Sequence, residues 1–367
     1  MKILLIGEYS NVHATLALGL RTLGHEVTVV SNGDFWKDYP RDIDVSRKAG
    51  RLGGLRLMLR LYSLLPRLRG YDIVQLINPM FFELKAERLF FFYRWLRRNN
   101  RHVILGAFGM DWYWVHTCSA NSPFRYSDFN IGQQLRTDTD AVRERNDWLG
   151  TAKERLNRQI AQDCDAIVSG LYEYHVCYSP VFPQKTSYIP LPIQLPVIQS
   201  RAKSGKLRVF IGISKARSAY KGTDIMLKAA EDIRQKYPQQ VELVKAEGVP
   251  FARYQQLMDN SDVMLDQLYS YTPSMNSLLG MSKGIVVVGG GEPELYEFIG
   301  ESELHPVVNV APRYESVCQA LEQLVLHPEN IPVLQRQSVE YVARHHEYLK
   351  VARQYEQLYL QLAETIS

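Results

Sequence analysis

The residues best placed for chemistry in this sequence are cations and backbone donors rather than paired acids. Lys215, Arg217 and Lys221 crowd one loop, residues 214–222, directly behind an apolar run. Further along, Thr272-Pro273-Ser274 sets up a helix start, with Ser274 as its cap and Met275 and Asn276 in its first turn. Cations and free helix N–H groups together neutralise a diphosphate better than either alone. Gly289, Gly290 and Gly291 then follow Ile285-Val286-Val287-Val288, and Glu294 opens the next helix. Glycines there let the backbone lie close to a ligand or another chain segment. In the first half, Asp111 follows a strand pattern at Gly106-Ala107-Phe108-Gly109-Met110, and His13 sits near the start of the first helix. Both can hold a hydroxyl group, and a helix-start or packing role is the competing reading for His13.

These residues need a scaffold that gathers loops on one edge. Residues 2–7 read as a strand, 12–23 as an amphipathic helix and 27–30 as a second strand, which makes a right-handed βαβ unit. Strand patterns recur at 73–77, 102–105, 165–169 and 188–193, and after the polar linker 199–206 again at 207–213, 241–244, 262–265 and 285–288. Helical patterns lie at 52–68, 81–98, 151–163, 223–237, 254–260, 315–324 and 335–362, while 112–149 reads as a long polar and aromatic loop. The fold class expected is α/β with two Rossmann-like domains. The first spans 1–198 and the second 206–335, leaving 336–367 as a C-terminal helix. In such sheets ligands sit beyond the carboxyl ends of the strands, which is where all the chemistry-bearing loops fall.

Composition narrows the classes. At 367 residues, 46% hydrophobic and 22% charged, the chain is an ordinary globular protein with room for two cores. The first turn, Gly7-Glu8-Tyr9-Ser10-Asn11, lacks G-x-G-x-x-G, which argues against a dinucleotide enzyme. Four scattered cysteines make neither a zinc ribbon nor a disulfide framework, so no metal is expected. No apolar run reaches the ~20 residues of a membrane span, and the expected location is cytoplasmic. The net charge of +4 hides an arginine-rich first third, including Arg51, Arg56, Arg60, Arg67 and Arg69. Together with the aromatic pattern at 81–101 it suits an anionic membrane surface, against the alternative of ordinary solvated helix faces and a core aromatic stripe. No nucleic-acid partner is expected.

Lys221-Gly222-Thr223-Asp224 and Gly290-Gly291-Glu292-Pro293-Glu294, with Gly24-His25-Glu26-Val27 and Ser261-Asp262-Val263, resemble the retaining GT-B glycosyltransferases of family four over nearly the whole chain. The resemblance implies two Rossmann-like domains with a ligand cleft between them, and a last helix crossing back onto the first domain. It implies transfer of a sugar from a UDP- or GDP-sugar to a saccharide or lipid-linked acceptor, with retention, with no cofactor, and in surface polysaccharide synthesis. Lys221 matches the family lysine, with Arg217 and Lys215 as neighbouring candidates. The departures are as specific as the matches. The two glutamates of the family's E-x7-E fall on Tyr271 and Leu279, and only Tyr271 can bind the donor, through its phenol. The family's H-G-x-D is Phe108-Gly109-Met110-Asp111, with the histidine lost. In that family the leaving phosphate itself takes the acceptor proton, so a missing side-chain base is compatible with transfer. A sugar-nucleotide epimerase of the same fold and a non-catalytic nucleotide-sugar-binding subunit are the alternatives.

Overall fold

The computed structural model describes residues 1–197, 205–214 and 218–364. The chain forms two compact units. One contains Met1–Thr117, Arg145–Pro192 and Tyr348–Ser367; the other contains Cys118–Glu144 and Ile193–Glu347.

The first unit is built on strands β1 (Lys2–Ile6), β2 (Glu26–Ser31), β3 (Ile43–Asp44), β4 (Ile73–Leu76) and β5 (His102–Ala107). The chain then makes a small antiparallel hairpin, β6 (Asn130–Ile131) and β7 (Gln134–Leu135), which belongs to the second unit. Strands β8 (Ala166–Ser169) and β9 (Thr186–Tyr188) complete a seven-stranded sheet in the order β3-β2-β1-β4-β5-β8-β9, parallel throughout. Ile3, Leu4, Leu5 and Ile6 are all fully buried, as expected of a strand with helices on both faces. The second unit holds β10 (Leu207–Ile213), β11 (Val241–Glu247), β12 (Val263–Asp266), β13 (Val286–Gly289) and β14 (Val308–Asn309). They form a parallel sheet in the order β11-β10-β12-β13-β14. In both sheets the strand order reverses direction, at β1/β4 and at β10/β12, and these are the switch points where open α/β sheets bind ligands.

Several boundaries differ from the sequence reading. Residues 112–149 are not one loop: helices Trp112–Ala120 and Thr139–Trp148 flank the hairpin, and 118–144 packs with the second unit. That assignment departs from the expected split at 198–206, because the aromatic side chains of 124–129 find their core there. The long C-terminal helix is two helices, Ile331–His345 and Tyr348–Glu364, and the second unit accordingly runs to Glu347 rather than 335. The backbone N–H of Ile193 donates to the His346 carbonyl at 2.7 Å, tying together the two places where the chain changes unit. The aromatic helix is Ala86–Asn99, shorter than the pattern suggested, and it buries Phe92 and Tyr93 with Leu89 and Leu96. Phe81 and Phe82 are also core, so most of that aromatic stripe serves packing.

Within the first unit, Tyr348–Glu364 lies against the helix Val12–Thr22. A Cβ on Gly19 would stand 2.6 Å from the Ala352 Cβ and 3.0 Å from the Tyr348 carbonyl oxygen. Only glycine permits so close an approach. His25 Nε2 and Glu356 meet at 2.8 Å, and the Tyr359 hydroxyl donates to Gln75 Oε1 on β4, also at 2.8 Å. Gly19→Leu is therefore expected to destabilise the protein by about 1–3 kcal/mol, the usual range for overpacking a close contact. Chemical denaturation monitored by circular dichroism measures it, and an unchanged midpoint would mean this helix pair is not held as described.

Candidate functional site

The rim of the second unit. Three loops leave the carboxyl ends of neighbouring strands, β10, β12 and β13. The first ends in the short helix Ser218–Lys221, and Gly222 follows in the left-handed region at φ 72°, as only glycine does readily. A Cβ there would meet Leu268 at 2.6 Å, and the Leu268 N–H donates to the Lys221 carbonyl at 3.1 Å, so Lys221 is fixed to the next loop. Lys215 and Arg217 lie outside the described residues.

The second loop delivers the helix Met275–Ser282. Ser274 is its cap residue by backbone geometry, but its hydroxyl does not cap. It donates instead to Asp266 Oδ2 at 3.1 Å, and Ser277 donates to the same oxygen at 2.6 Å. Asp266 thus draws both hydroxyls away from the backbone. The first-turn N–H groups, Met275 and Asn276 among them, are left without a side-chain cap and available to an anion. The Asn276 side chain is turned the other way, its Nδ2 donating to the Tyr254 hydroxyl at 2.9 Å.

The third loop is the glycine run. A Cβ on Gly289 would lie 2.2 Å from the Asp266 carbonyl oxygen, one on Gly290 1.8 Å from the Ser270 carbonyl oxygen, and one on Gly291 2.6 Å from the Val307 Cβ. The close approach to another chain segment, one of the two uses foreseen for these glycines, is present at all three. Gly291 also donates its N–H to Asn309 Oδ1 at 3.1 Å.

The segment 118–144 changes the reading of Tyr271 and engages Glu294. Tyr271 is buried, with its ring between those of Phe124 and Tyr126 at centroid distances of 5.3 and 5.0 Å. Its phenol oxygen accepts the Arg125 backbone N–H at 2.8 Å. The phenol expected to meet a donor therefore meets this segment, and burial pushes its pKa up to about 12. The Arg125 guanidinium donates to Glu292 at 2.6 Å and pairs with Glu294, while the Tyr126 hydroxyl donates to the buried Glu292. The hydrogen bonds from Arg125 hold the Glu294 carboxyl below its usual range. Arg136 anchors the other end, donating to the carbonyls of Ala219 and Tyr220 at 2.8 and 3.1 Å and lying 3.7 Å above the Tyr269 ring. Sequence reasoning missed Arg125, Tyr126, Glu292 and Arg136. The alternation of aromatic and polar residues at Phe124-Arg125-Tyr126-Ser127-Asp128-Phe129 was the available signal for a half-buried segment.

The first unit. A cleft of about 890 Å³ opens at the carboxyl ends of the strands around the β1/β4 switch. Gly7, Glu8 and Tyr9 line it behind β1, and Ile77 behind β4. Phe81, Phe82, Met58 and Leu55 make much of its wall, with Arg47, Arg88 and Lys153 among its cations. Glu8 was not singled out from the sequence. It is buried and takes the N–H groups of His13 and Ala14 at 3.2 and 2.8 Å, covering the start of the first helix. Burial nevertheless dominates and pushes its pKa to about 8, so the cleft carries a neutral acid there at pH 7.

His13 and Asp111 are not cleft residues in this geometry. His13 is fully buried, with Nδ1 2.8 Å from the Gly7 carbonyl and Nε2 3.2 Å from the Gln75 amide nitrogen. Burial lowers its pKa to about 3, so the ring is neutral, donating from Nδ1 and accepting at Nε2. Both nitrogens are occupied, and the residue holds the Gly7 turn; the packing reading is the one realised. Asp111 caps the helix Trp112–Ala120, accepting the Trp114 N–H at 2.9 Å, and its other oxygen accepts the Tyr178 hydroxyl at 2.8 Å. It too is fully buried, which raises its pKa to about 7.

No protein-family model matches the sequence, and no curated protein matches it at the sequence level. Solved structures match over its whole length. Sucrose-phosphate synthase from Thermosynechococcus elongatus superposes with a TM-score of 0.62 at 12% identity, covering 100% of both chains. Anabaena HepE in complex with UDP and glucose gives 0.57 at 12% identity over 98% of this chain and 99% of that one. A putative UDP-N-acetylglucosamine 2-epimerase from Listeria monocytogenes gives 0.56 at 13% identity over 96% and 94%. The architecture of two parallel-sheet α/β domains is therefore the GT-B fold.

Two outcomes check these assignments. The folded-state pKa of Glu8 lies above its unfolded value of 4.5, so its stabilising contribution is complete below about pH 4.5 and disappears as pH rises through about 8. Glu8→Gln is expected to flatten the fall in melting temperature between pH 5 and 8; an unaltered slope would place the titration elsewhere. Arg125→Ala strips the buried Glu292 of a charged donor and should cost roughly 1–3 kcal/mol. Loss of that size without unfolding of the rest is readable as faster hydrogen exchange across 118–144, and unchanged exchange would contradict the clamp.

Proposed function

We propose that the protein is a glycosyltransferase that moves a sugar from a nucleotide-diphosphate donor to a saccharide or lipid-linked acceptor. The observation that carries this reading is the uncapped helix start at Ser274, whose serines are drawn aside by Asp266, on the same rim as Lys221. A diphosphate bound there would meet backbone N–H groups and a cation. As the glycosidic bond breaks the leaving diphosphate gains negative charge, and those groups, with Lys215 and Arg217, stabilise it by electrostatics without a metal. The sugar is transferred with retention, as the family resemblance implies. HepE, solved with UDP and glucose, shares the fold and supports a sugar nucleotide as donor. Surface polysaccharide assembly on the inner face of the cell membrane is the proposed setting.

Two features favour other readings of the same rim. UDP-N-acetylglucosamine 2-epimerases from Listeria monocytogenes and Neisseria meningitidis share the fold to a similar degree, which supports an epimerase. Tyr271 and Leu279 supply no carboxylate, and Tyr271 is engaged by Arg125, which supports a subunit that binds a sugar nucleotide without turning it over. A panel of UDP- and GDP-sugars, followed by nuclear magnetic resonance with and without acceptor, separates the three. Transfer to acceptor supports the proposal; isomerisation of donor alone supports the epimerase; binding without turnover supports the subunit. Lys221→Ala should weaken donor binding at least tenfold by calorimetry, about 1.4 kcal/mol. Unchanged affinity would remove the diphosphate from this rim.

A further inference from the structure

The helix Gly53–Leu64 has an outer face that the fold does not use. Its inner seam, Gly53, Leu57, Leu61 and Leu64, is buried against the first unit. Leu52, Leu55, Leu59 and Tyr62 fall on one stripe of the opposite side and are 56, 49, 60 and 42% exposed. Phe91, itself exposed, extends the stripe sideways, its ring 5.2 Å from that of Tyr62. Arg56 and Arg60 follow on the adjoining stripe, between the exposed leucines and the buried seam.

The charge around this stripe has one sign. Between Asp44 and Asp72 the sequence has no acidic residue. Arg51, Arg56, Arg60, Arg67 and Arg69 are exposed, and none of them makes an ion pair among the described residues. Arg21 and Arg41 of the same unit, by contrast, pair with Asp42 and Asp44. A row of exposed leucines edged by unpaired arginines is the pattern of a helix lying in a lipid interface. There the apolar face enters the acyl boundary, and the long cationic side chains reach back to anionic headgroups.

We propose that this face docks the protein on an anionic lipid bilayer. Leu55 belongs both to the exposed stripe and to the wall of the 890 Å³ cleft, together with Gly54 and Met58, so the stripe runs directly into the cleft. Phe35, 61% exposed, lines the same cleft. An acceptor carried on a lipid would then enter the cleft from the bilayer with its apolar chain along Leu55, Met58 and Phe82. That second step rests on the glycosyltransferase reading; the docking itself does not.

The test is sedimentation of the full chain with vesicles of phosphatidylcholine alone or mixed equally with phosphatidylglycerol. Binding is expected to the mixed vesicles only and to fall as salt is raised. Leu55→Gln with Leu59→Gln, and separately Arg56→Glu with Arg60→Glu, should each lower the bound fraction at least tenfold. Both pairs are exposed, so circular dichroism and sugar-nucleotide binding should match the parent and exclude misfolding. Equal binding to neutral vesicles, no binding, or binding unaffected by both double variants would overturn the proposal. Concentration-dependent dimers abolished by the leucine variants would also overturn it, by assigning the stripe to a second copy. Docking that persists where no sugar nucleotide binds would refute the donor reading and leave this one standing.

Discussion

Every strand in the two large sheets runs parallel to its neighbours, and this single constraint arranges the rest. A parallel strand cannot be followed by a tight hairpin, so every connection except the β2–β3 loop crosses a face of its sheet with a helix. Both faces are then covered, the strands become continuous β-branched runs, and all the outgoing loops collect on one edge. Lys221, the Ser274 helix start and the Gly289–Gly291 run are far apart in sequence and come off adjacent strands for that reason. The cleft behind β1 and β4 has the same origin in the other sheet.

Polar groups inside this scaffold are satisfied locally. Glu8 lies over a helix start, His13 bridges Gly7 and Gln75, and Asp111 caps a helix while accepting from Tyr178. In all three cases burial opposes the charged form, raising the pKa of both acids and lowering that of the imidazole. The rim of the second unit follows another rule. Asp266 binds two serine hydroxyls and so leaves helix N–H groups uncapped. The helix start is left open there by withholding a side-chain cap. Along the same rim Arg125 and Tyr126 engage Glu292, and Arg125 also engages Glu294, so acids that stand in the open in a simple βα loop are neutralised by an inserted segment.

In the helix Gly53–Leu64 the apolar pattern exceeds what the core takes up. Its leucines recur too often for a single buried seam, and the surplus is what faces outward beside the arginines. The aromatic helix Ala86–Asn99, which looks the stronger membrane candidate by composition, buries Phe92 and Tyr93 in the core and leaves Phe90 and Trp95 only half-buried.

Periodicity and punctuation were enough to read the two α/β domains, the strands at 2–7, 207–213 and 285–288, the glycine turn and the helix start at Ser274. These are local properties: a buried parallel strand needs a β-branched run, and a βα turn needs small residues, whatever lies around it. The direction of a side chain is not local. Nothing in the neighbourhood of Asp111 or His13 tells whether a polar group faces a ligand or a partner more than sixty residues away, such as Tyr178 or Gln75. The same holds for the segment 118–144, whose chain position is in the first half while its rings pack around Tyr271 in the second unit. The sequence by itself determined the architecture and which loops share an edge. Only the tertiary structure decided which polar groups on that edge stay available, because availability depends on contacts between residues far apart along the chain.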